Sequence, residues 1–300
     1  MPQRYFVTGA TGFIGSAIVR ELLGAGHQVL GLVRSDANAA ALAAIGATAI
    51  RGSLEDLDVL RRGAESSDGV IHTAFQHDFA RFAESCAIDQ RAITAVGEVL
   101  AGSGRALVVT SGTPVDAGRV VTESDRGDRS NPVSMLRAPA EDITLALADR
   151  GVRASVVCLP RCVHGTSDQG WKGGLLILLT AVAQQTRVVA YVGDGTQRWP
   201  AVHRLDAARL YCLAIERAPA GARLHAVDEQ GIPLREIAEH LGKKLGLPAV
   251  SRSTADAAGH YGFFAATVGD DQPASSAKTR ELLGWQPREI GLLADLDANG

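Results

Sequence analysis

Along roughly the first 160 positions, segments with the hydrophobic pattern of strands alternate with segments that have the hydrophobic pattern of helices. Short apolar runs rich in β-branched residues are typical of buried strands, and they predict strands at 5–8, 28–33, 48–51, 69–73, 106–110 and 154–158. Between them, apolar residues recur every three or four positions, which predicts helices at 13–23, 37–45, 54–62, 79–100 and 133–150. Repeated strand-helix-strand units form parallel sheets through right-handed crossovers. We therefore predict an α/β fold of the Rossmann type, a doubly wound parallel sheet with helices on both faces.

The pattern becomes less regular after about residue 160. A glycine-rich turn at 193–195 and helices predicted at 205–216 and 234–245 follow there, and the sequence contains no internal repeat or low-complexity tract. We expect a small C-terminal lobe that covers the substrate. Residues 1–165 are the predicted dinucleotide-binding core, to which later segments return, and residues 166–300 form most of the lobe.

Composition excludes several classes of protein. Hydrophobic residues make up 46% of the chain, which suffices for a large core. With 30 Lys and Arg against 33 Asp and Glu the formal charge is -3, so neither nucleic acid nor an anionic membrane is an expected partner. The apolar run at 173–183 is too short to span a bilayer and the first residues carry no secretion signal, so we expect a cytoplasmic protein. The four cysteines lack the spacing of metal ligands or of a disulfide framework, and no metal site is predicted.

The first predicted strand runs directly into the sequence TGATGFIG at residues 8–15, and a predicted helix follows. In that context Gly9 permits a tight turn, Gly12 brings the backbone close to a pyrophosphate, and Gly15 lets the helix pack on the strand. The helix begins near Phe13, and its free amide groups and positive dipole end favour bound phosphates. We predict a dinucleotide site here; the alternative is a glycine-rich turn that binds no ligand.

The end of the second strand indicates which dinucleotide is bound. Arg34 and Ser35 stand where an NAD site carries an acidic residue, and an arginine suits the 2'-phosphate of NADP(H). The alternative is a solvated surface arginine. Farther along the chain, Ser53 and Leu54 are expected beside the adenine, and Thr73 is expected beside the ribose.

These features together resemble the extended short-chain dehydrogenases/reductases, which include NAD-dependent epimerase/dehydratase-like proteins. The shared motifs are the glycine signature at 8–15, HxA at 72–74, CLPRCVHG at 158–165, GDG at 193–195, the helix start at 203–206 and LGWxP at 283–287. The resemblance covers nearly the whole chain, and it implies a Rossmann fold and a nicotinamide cofactor. The further cofactor contacts that we predict are Thr8, Thr11, Ile14, Ala74, Phe75, Thr110, Arg137, Pro160 and Val163.

The family's catalytic pair is missing from the matching helix. The family carries Tyr-x-x-x-Lys on the helix after strand five, and alignment on Glu141 puts Arg137 at the lysine position and Val133 at the tyrosine position. Valine cannot donate a proton, so the chain resembles atypical members of the family whose pair has been replaced. Arg137 can still fix ribose hydroxyls and stabilise negative charge. Alternatively, it forms a surface ion pair with Glu141 one helical turn away.

Other groups are expected to supply the hydrogen bond and the proton that the tyrosine provides in the family. Ser111 or Thr113, on either side of Gly112, can hydrogen-bond a substrate carbonyl or cap their own turn. His164 takes the place of the family's loop tyrosine beside the nicotinamide and can donate a proton near neutral pH. The alternative for His164 is a packed loop histidine. Tyr261, a bound water or a substrate hydroxyl are further candidate donors.

Residues after the sheet strands and in the lobe are expected to contact the substrate, since such folds bind ligands there. We predict this role for Gln76, His77, Trp171 and Tyr261. The leading hypothesis is an oxidoreductase that uses NADP(H) on a small, bulky and apolar carbonyl or imine compound. The alternatives are a nucleotide-sugar epimerase or dehydratase, which the missing tyrosine makes a weaker hypothesis, and a non-catalytic NADP-sensing regulator.

Apolar stripes on the helices at 79–100 and 133–150 predict a homodimer, with a monomer as the alternative.

Overall fold

The computed structural model describes residues 1–115, 118–127, 132–167, 170–171 and 174–298. The side chains at 132, 133, 170, 171 and 263 lie outside this description, and the predictions for Val133 and Trp171 therefore concern side chains that are not described. In chain order the strands are β1 (Arg4–Thr8), β2 (Gln28–Val33), β3 (Thr48–Arg51), β4 (Gly69–His72), β5 (Ala106–Gly112), β6 (Arg153–Leu159), β7 (Cys162–His164), β8 (Thr166–Ser167), β9 (Gly170–Trp171), β10 (Val189–Val192), β11 (Arg198–His203), β12 (Ala222–His225), β13 (Glu229–Pro233) and β14 (Ala249–Arg252). The helices are α1 (Gly15–Gly24), α2 (Asp36–Ala44), α3 (Leu57–Glu65), α4 (Phe82–Leu100), α5 (Pro132–Ala146), α6 (Leu176–Thr186), α7 (Arg204–Arg217), α8 (Leu234–Leu245), α9 (Thr254–Tyr261), α10 (Ala265–Gly269), α11 (Ala277–Leu283) and α12 (Leu292–Ala298), with 3-10 turns at Phe79–Arg81, Leu147–Arg150 and Gly262–Phe264.

The central sheet confirms the predicted fold class. Its strands pair in the order β3-β2-β1-β4-β5-β6-β12, and each of these pairings is parallel. The chain starts in the middle of the sheet and builds outward in both directions, so the strand order reverses between β1 and β4. In open α/β sheets, ligands bind beyond the C-terminal ends of the strands at such a reversal. The loops that follow β1 and β4 meet at that position.

Helices cover both faces of this sheet because its central strands are apolar on both sides. On one face α1 packs against α7 over a core that contains Ile18, Leu22 and Tyr211. On the other face α4 packs between α3 and α5, with Leu60 and Ile93 in the core. This is the doubly wound arrangement that the sequence predicts.

Predicted and observed bounds agree for β2, β3 and α8, where the apolar pattern begins and ends sharply. α3 begins at Leu57 rather than at 54, because the Asp56 carboxylate accepts hydrogen bonds from the Ser53 N–H (2.7 Å) and the Ser53 hydroxyl (2.9 Å) in a turn before the helix. β5 continues to Gly112, because Ser111 and Gly112 still pair with β6. Both differences fall at the C-terminal edge of the sheet.

A second apolar core lies outside the central sheet, around Trp199, Leu179 and Ile237 of β11, α6 and α8. The chain does not stay in this lobe, since α7 packs on α1 and β12 pairs with β6. The division at residue 165 stays a prediction. Across the described ranges, no helix combines the length and the apolar character that a membrane crossing needs.

Candidate active site

Two glycines of the loop between β1 and α1, Gly9 and Gly15, have no room for a side chain. Gly9 has a φ of +70°, and a Cβ atom there would lie 2.7 Å from the Thr73 Oγ1 atom and 2.9 Å from the Ala74 nitrogen. A Cβ atom on Gly15 would lie 2.0 Å from the Gly9 carbonyl oxygen. Gly12 donates its N–H to the same oxygen at 2.8 Å. The loop therefore presents backbone rather than side chains at the strand-order reversal, which suits a bound pyrophosphate.

Arg204 of α7 holds the start of α1 in place. Its guanidinium donates to the Phe13 carbonyl at 3.0 Å and to the Ser16 hydroxyl at 2.9 Å, and its Cζ atom lies 5.1 Å from the centre of the Phe13 ring. Thr11 and Ile14 are half-buried in the same turn. Sequence reasoning missed Arg204, because no local pattern marks a contact between residues 191 positions apart.

Arg34 follows β2 at the same edge of the sheet, and its side chain is exposed. Ser35 caps α2 by accepting a hydrogen bond from the Asn38 N–H at 3.2 Å. The neighbouring cation Arg51 is paired with Asp36. The Arg34 guanidinium is thus open to an anion, whereas the Ser35 hydroxyl already has a structural partner.

The other predicted cofactor contacts also follow the C-terminal ends of strands. Ser53 and Leu54 come after β3; the Ser53 hydroxyl is used in the turn before α3, and Leu54 is buried. Thr110, near the end of β5, donates from Oγ1 to the His72 carbonyl at 2.9 Å. Pro160 and Val163, which follow β6, are both buried.

A buried row of polar side chains runs from the glycine loop to α5. The Thr8 hydroxyl lies 2.9 Å from Nδ1 of His72, and Nε2 of His72 lies 3.0 Å from the Asp89 carboxylate on α4. Arg137 donates from Nη1 to the other Asp89 oxygen at 2.8 Å. Burial favours the neutral form of Asp89, but the hydrogen bond from His72 and the charge of Arg137 outweigh it, so the pKa of Asp89 is lowered. An ionised Asp89 is therefore the counter-charge of Arg137.

Arg137 is held by three groups from different elements. Besides Asp89, it contacts the Thr110 carbonyl through Nη2 at 3.3 Å, and its Cζ atom lies 4.4 Å from the centre of the Phe75 ring. An arginine over an aromatic face gains a cation–π attraction. The side chain remains 23% exposed, so part of the guanidinium stays accessible.

Glu141 has partners other than Arg137. It accepts a hydrogen bond from the Ser111 hydroxyl at 3.3 Å, and it pairs with the largely buried Arg223. The alternative interpretation, a surface pair between Arg137 and Glu141, is therefore wrong. Arg137 binds the Asp89 carboxylate of α4 instead of one on its own helix.

The structure distinguishes the two hydroxyl candidates that follow β5. Thr113 is 6% exposed, its N–H donates to the Leu159 carbonyl at 2.9 Å, and its own carbonyl accepts from Gln272 Nε2 at 2.7 Å. Ser111 is half-buried, and its hydroxyl donates to the Glu141 carboxylate at 3.3 Å. Ser111 is the more accessible hydroxyl, and Thr113 is tied to the loop that contains Gln272.

Ser111→Ala is expected to affect activity, and Thr113→Ala is expected to affect stability. If Ser111 donates to a substrate oxygen as predicted, loss of that hydrogen bond lowers the kcat of Ser111→Ala by about 100-fold. Thr113→Ala is expected to keep kcat near the wild-type value and to lose about 1 kcal/mol of unfolding free energy. Steady-state kinetics and urea unfolding of the two variants measure this difference. A Thr113→Ala enzyme that is stable and inactive would reverse the assignment.

His164 lies on β7, and its side chain is only 1% exposed. Nδ1 lies 3.1 Å from the Asp295 carboxylate of α12, which also accepts the Gly165 N–H at 3.0 Å. Within the part of the chain that the structure describes, Nε2 has no hydrogen-bond partner. This packing favours the interpretation of a packed loop histidine, and proton donation by His164 stays a prediction.

Tyr261 and the cysteines are buried groups that keep their protons near neutral pH. Tyr261 is 5% exposed in the core of the lobe, where its hydroxyl donates to the Ala190 carbonyl, and burial raises the pKa of this phenol well above its usual range. Cys86, Cys158, Cys162 and Cys212 are all buried and free. Burial raises the pKa of Cys158 to about 12, so its thiol is not a nucleophile at neutral pH. Substrate contact by Tyr261 stays a prediction.

An aromatic cluster lies beside Arg137. It consists of Phe75, His77, Phe79, Phe82 and Phe264. The ring of Phe75 packs 5.3 Å from that of His77, and Phe79 packs 4.6 Å from Phe264, so the cluster joins the loop after β4 to the lobe. Phe79 is 41% exposed. Of the predicted substrate contacts, His77 belongs to this apolar surface, and Gln76 donates to Glu55 at 3.2 Å nearby.

Known proteins resemble this chain over most of its length. The Uncharacterized protein C2A9.02 of Schizosaccharomyces pombe is 48% identical over 296 residues, which is 98% of each chain. The 2-alkyl-3-oxoalkanoate reductase of Stenotrophomonas maltophilia is 30% identical over 269 residues, 84% of this chain and 78% of the reductase. Among solved structures, DesIV, a dTDP-glucose 4,6-dehydratase from Streptomyces venezuelae with NAD and TYD bound, matches with a TM-score of 0.77 at 19% identity, covering 99% of this chain and 95% of DesIV. The sequence model of the NAD dependent epimerase/dehydratase family matches residues 5–227, and the chain belongs to that family.

Proposed function

We propose that this protein is an NADP(H)-dependent oxidoreductase that acts on a small apolar carbonyl or imine compound. The observation that carries the proposal is the placement of Arg137, which Asp89 and Phe75 hold beside the aromatic cluster at the edge of the sheet where the glycine loop lies. A fixed cation next to an apolar surface suits a substrate whose oxygen gains negative charge. The similarity to a 2-alkyl-3-oxoalkanoate reductase supports a carbonyl substrate.

The residues at the strand-order reversal fit a nicotinamide dinucleotide. A Cβ atom on Gly9 or Gly15 would collide with neighbouring atoms, and α1 begins without a side-chain cap, so backbone amides are left for a phosphate. The exposed Arg34 follows β2 at the same edge of the sheet, which supports binding of a further phosphate on the adenine ribose. For this reason we propose NADP(H) rather than NAD(H).

Arg137 and Ser111 are the residues to which we assign the chemistry of the protein. When bound, the nicotinamide supplies or accepts the hydride. Arg137 binds ribose hydroxyls and stabilises negative charge on the substrate oxygen without releasing a proton, because a guanidinium stays charged. The Ser111 hydroxyl, which donates to Glu141 at 3.3 Å without substrate, turns to donate its one hydrogen to the same oxygen when substrate binds. The proton comes from His164, from water or from a substrate hydroxyl, since the buried Tyr261 phenol holds its proton strongly.

A panel of ketones, aldehydes and imines, offered to the purified protein with NADPH, tests this proposal. We expect oxidation of NADPH with apolar members of the panel and little with nucleotide-linked sugars. Binding of NADPH without turnover on any compound would favour the non-catalytic NADP-sensing regulator. Conversion of a nucleotide sugar would favour the epimerase or dehydratase that the family also contains.

We further propose a cytoplasmic homodimer that pairs through α4 and α5. The two helices pack side by side on one face of the sheet, and Met135 on α5 is 56% exposed. In a two-fold dimer the same face of both subunits meets, so Met135 would pack against the second copy there. Light scattering on the purified protein measures the mass, and a monomer would contradict the pairing.

Arg34→Ala is expected to weaken NADPH binding by about 10- to 100-fold and to leave NADH binding unchanged. The reason is the loss of one charge-assisted contact to the 2'-phosphate, worth about 1.5–3 kcal/mol. Calorimetric titration with each coenzyme measures the effect. Arg150→Ala is the matched control, since Arg150 is also exposed but precedes β6 and so lies at the opposite edge of the sheet. Equal losses for NADPH and NADH, or none, would contradict the proposed selectivity.

A further inference from the structure

The buried row formed by Thr8, His72, Asp89 and Arg137, which we call the Asp89 network, joins two parts of the proposed cofactor site. The Thr8 hydroxyl accepts a hydrogen bond from the Ala74 N–H at 3.3 Å, which leaves its own hydrogen for Nδ1 of His72 at 2.9 Å. With Nδ1 as the acceptor, the neutral imidazole carries its hydrogen on Nε2 and donates it to Asp89. The network then has a donor for every acceptor from the glycine loop to Arg137.

Asp89 occupies a position where a carboxylate is costly unless it is paired. Its side chain is 3% exposed, as is that of His72. A buried carboxylate needs a charge partner and further hydrogen bonds, and Asp89 has both. Its partners come from different elements, since His72 ends β4 and Arg137 lies on α5. The carboxylate thereby fixes a long, otherwise rotatable arginine side chain relative to the sheet.

We propose that Asp89 and His72 are positioning residues, which hold the Arg137 guanidinium where it meets the nicotinamide ribose. This inference rests on the proposed function, because Arg137 is the residue assigned there to the bound cofactor. Neither Asp89 nor His72 touches the reacting atoms; each acts through Arg137. Thr8 extends the same network into the glycine loop, so the loop and the guanidinium are held in one fixed arrangement.

A double-mutant cycle on NADPH affinity tests this role without requiring turnover. Calorimetry is performed on the wild type, Asp89→Asn, Arg137→Ala and the double variant. Asp89→Asn keeps the shape of the side chain but removes the charge that holds Arg137, so we expect about 10-fold weaker NADPH binding. In the Arg137→Ala background, the same change is expected to cause no further loss, because its effect passes through Arg137. An equal loss in both backgrounds, or no loss in either, would overturn the proposal.

Two further variants keep the test decisive. Glu98→Gln removes a carboxylate from the same helix, where Glu98 is 51% exposed and lies 3.7 Å from Arg61, and we expect wild-type affinity. His72→Phe keeps a ring of similar size but removes the N–H that holds the Asp89 carboxylate, and it replaces Asp89→Asn in the cycle if that variant does not fold. The loss of NADPH affinity in His72→Phe must also vanish in the Arg137→Ala background, and additivity there contradicts the proposal equally.

Once the carbonyl panel has identified a substrate, kcat and KM provide a second test of the positioning role. We expect Asp89→Asn to lower kcat by about 10- to 100-fold with an unchanged KM for the carbonyl, since a misplaced cation affects the reacting atoms rather than the apolar surface. Failure of the wild type to bind NADPH would contradict the proposed function and with it this inference. Normal NADPH binding and turnover with an additive cycle would contradict the positioning role alone.

Discussion

Gly15→Ala is expected to weaken NADPH binding by about 100-fold or more, while Gly24→Ala in the same helix leaves it unchanged. The new Cβ atom would lie 2.0 Å from the Gly9 carbonyl oxygen and 2.8 Å from its carbon, so the start of α1 has to move away from the end of β1. Each backbone N–H that loses a charged phosphate costs about 1.5–3 kcal/mol, or about 10- to 100-fold in affinity. Calorimetric titration with NADPH measures the loss.

Gly24 is a suitable control because it belongs to α1 and no atom lies within 4 Å of its Cβ position. Alanine is a better helix former than glycine by about 1 kcal/mol, so Gly24→Ala is expected to unfold at a slightly higher temperature and to bind NADPH normally. If Gly15→Ala also bound NADPH normally, the pyrophosphate would not rest on this loop. That result would remove the basis of the proposed cofactor site.

The fold could be predicted from the sequence because its elements are encoded locally. β2 and β3 appear with the predicted bounds. β1, the glycine loop and α1, which form the proposed cofactor site, follow each other within the first 24 residues. The tight contacts of Gly9 and Gly15 explain why this motif is informative, since no other residue type fits there. The contact between Gly15 and Gly9 is local and belongs to the motif itself, whereas the space at Gly9 is also limited by Thr73 and Ala74 in the loop after β4.

Side-chain partners could not be predicted in the same way, because they depend on contacts between distant segments. The sequence allows Arg137 either a ribose-binding role or an ion pair with Glu141, whereas its observed partner Asp89 is 48 positions away on another helix. The sequence does contain one indication of a buried partner. Asp89 lies three residues before Ala92 on the apolar stripe of α4, and both residues are buried. A carboxylate on the buried face of a helix needs a partner, so its position alone indicated a network.

For His164, the family motif predicts the position of the residue in the fold but not the direction of its ring. The segment CLPRCVHG covers the end of β6 and all of β7, and the His164 imidazole packs on Asp295 of α12, 131 residues later in the chain. Nothing near position 164 in the sequence indicates that partner. The aromatic cluster was likewise missed in part, because Phe79 and Phe264 meet only when the lobe packs on the core.

Arg137→Ala is expected to lower kcat for the carbonyl substrate by about 100- to 1,000-fold, the usual effect of removing a group that stabilises a developing negative charge. The change also leaves Asp89 buried without its cation, which for buried pairs costs about 3–5 kcal/mol of unfolding free energy; the 23% exposure of Arg137 places this case toward the lower end. The kinetic and structural effects must therefore be separated.

Two companion variants separate them. Arg137→Ala combined with Asp89→Asn removes both charges, so stability in urea is expected to recover while kcat stays low. Arg137→Lys keeps a cation that can reach Asp89 and is expected to retain most of the turnover, although a lysine cannot reproduce the planar contact with Phe75. If kcat recovered together with stability in the double variant, Arg137 would be a structural residue, and the positive charge beside the substrate would have to come from elsewhere.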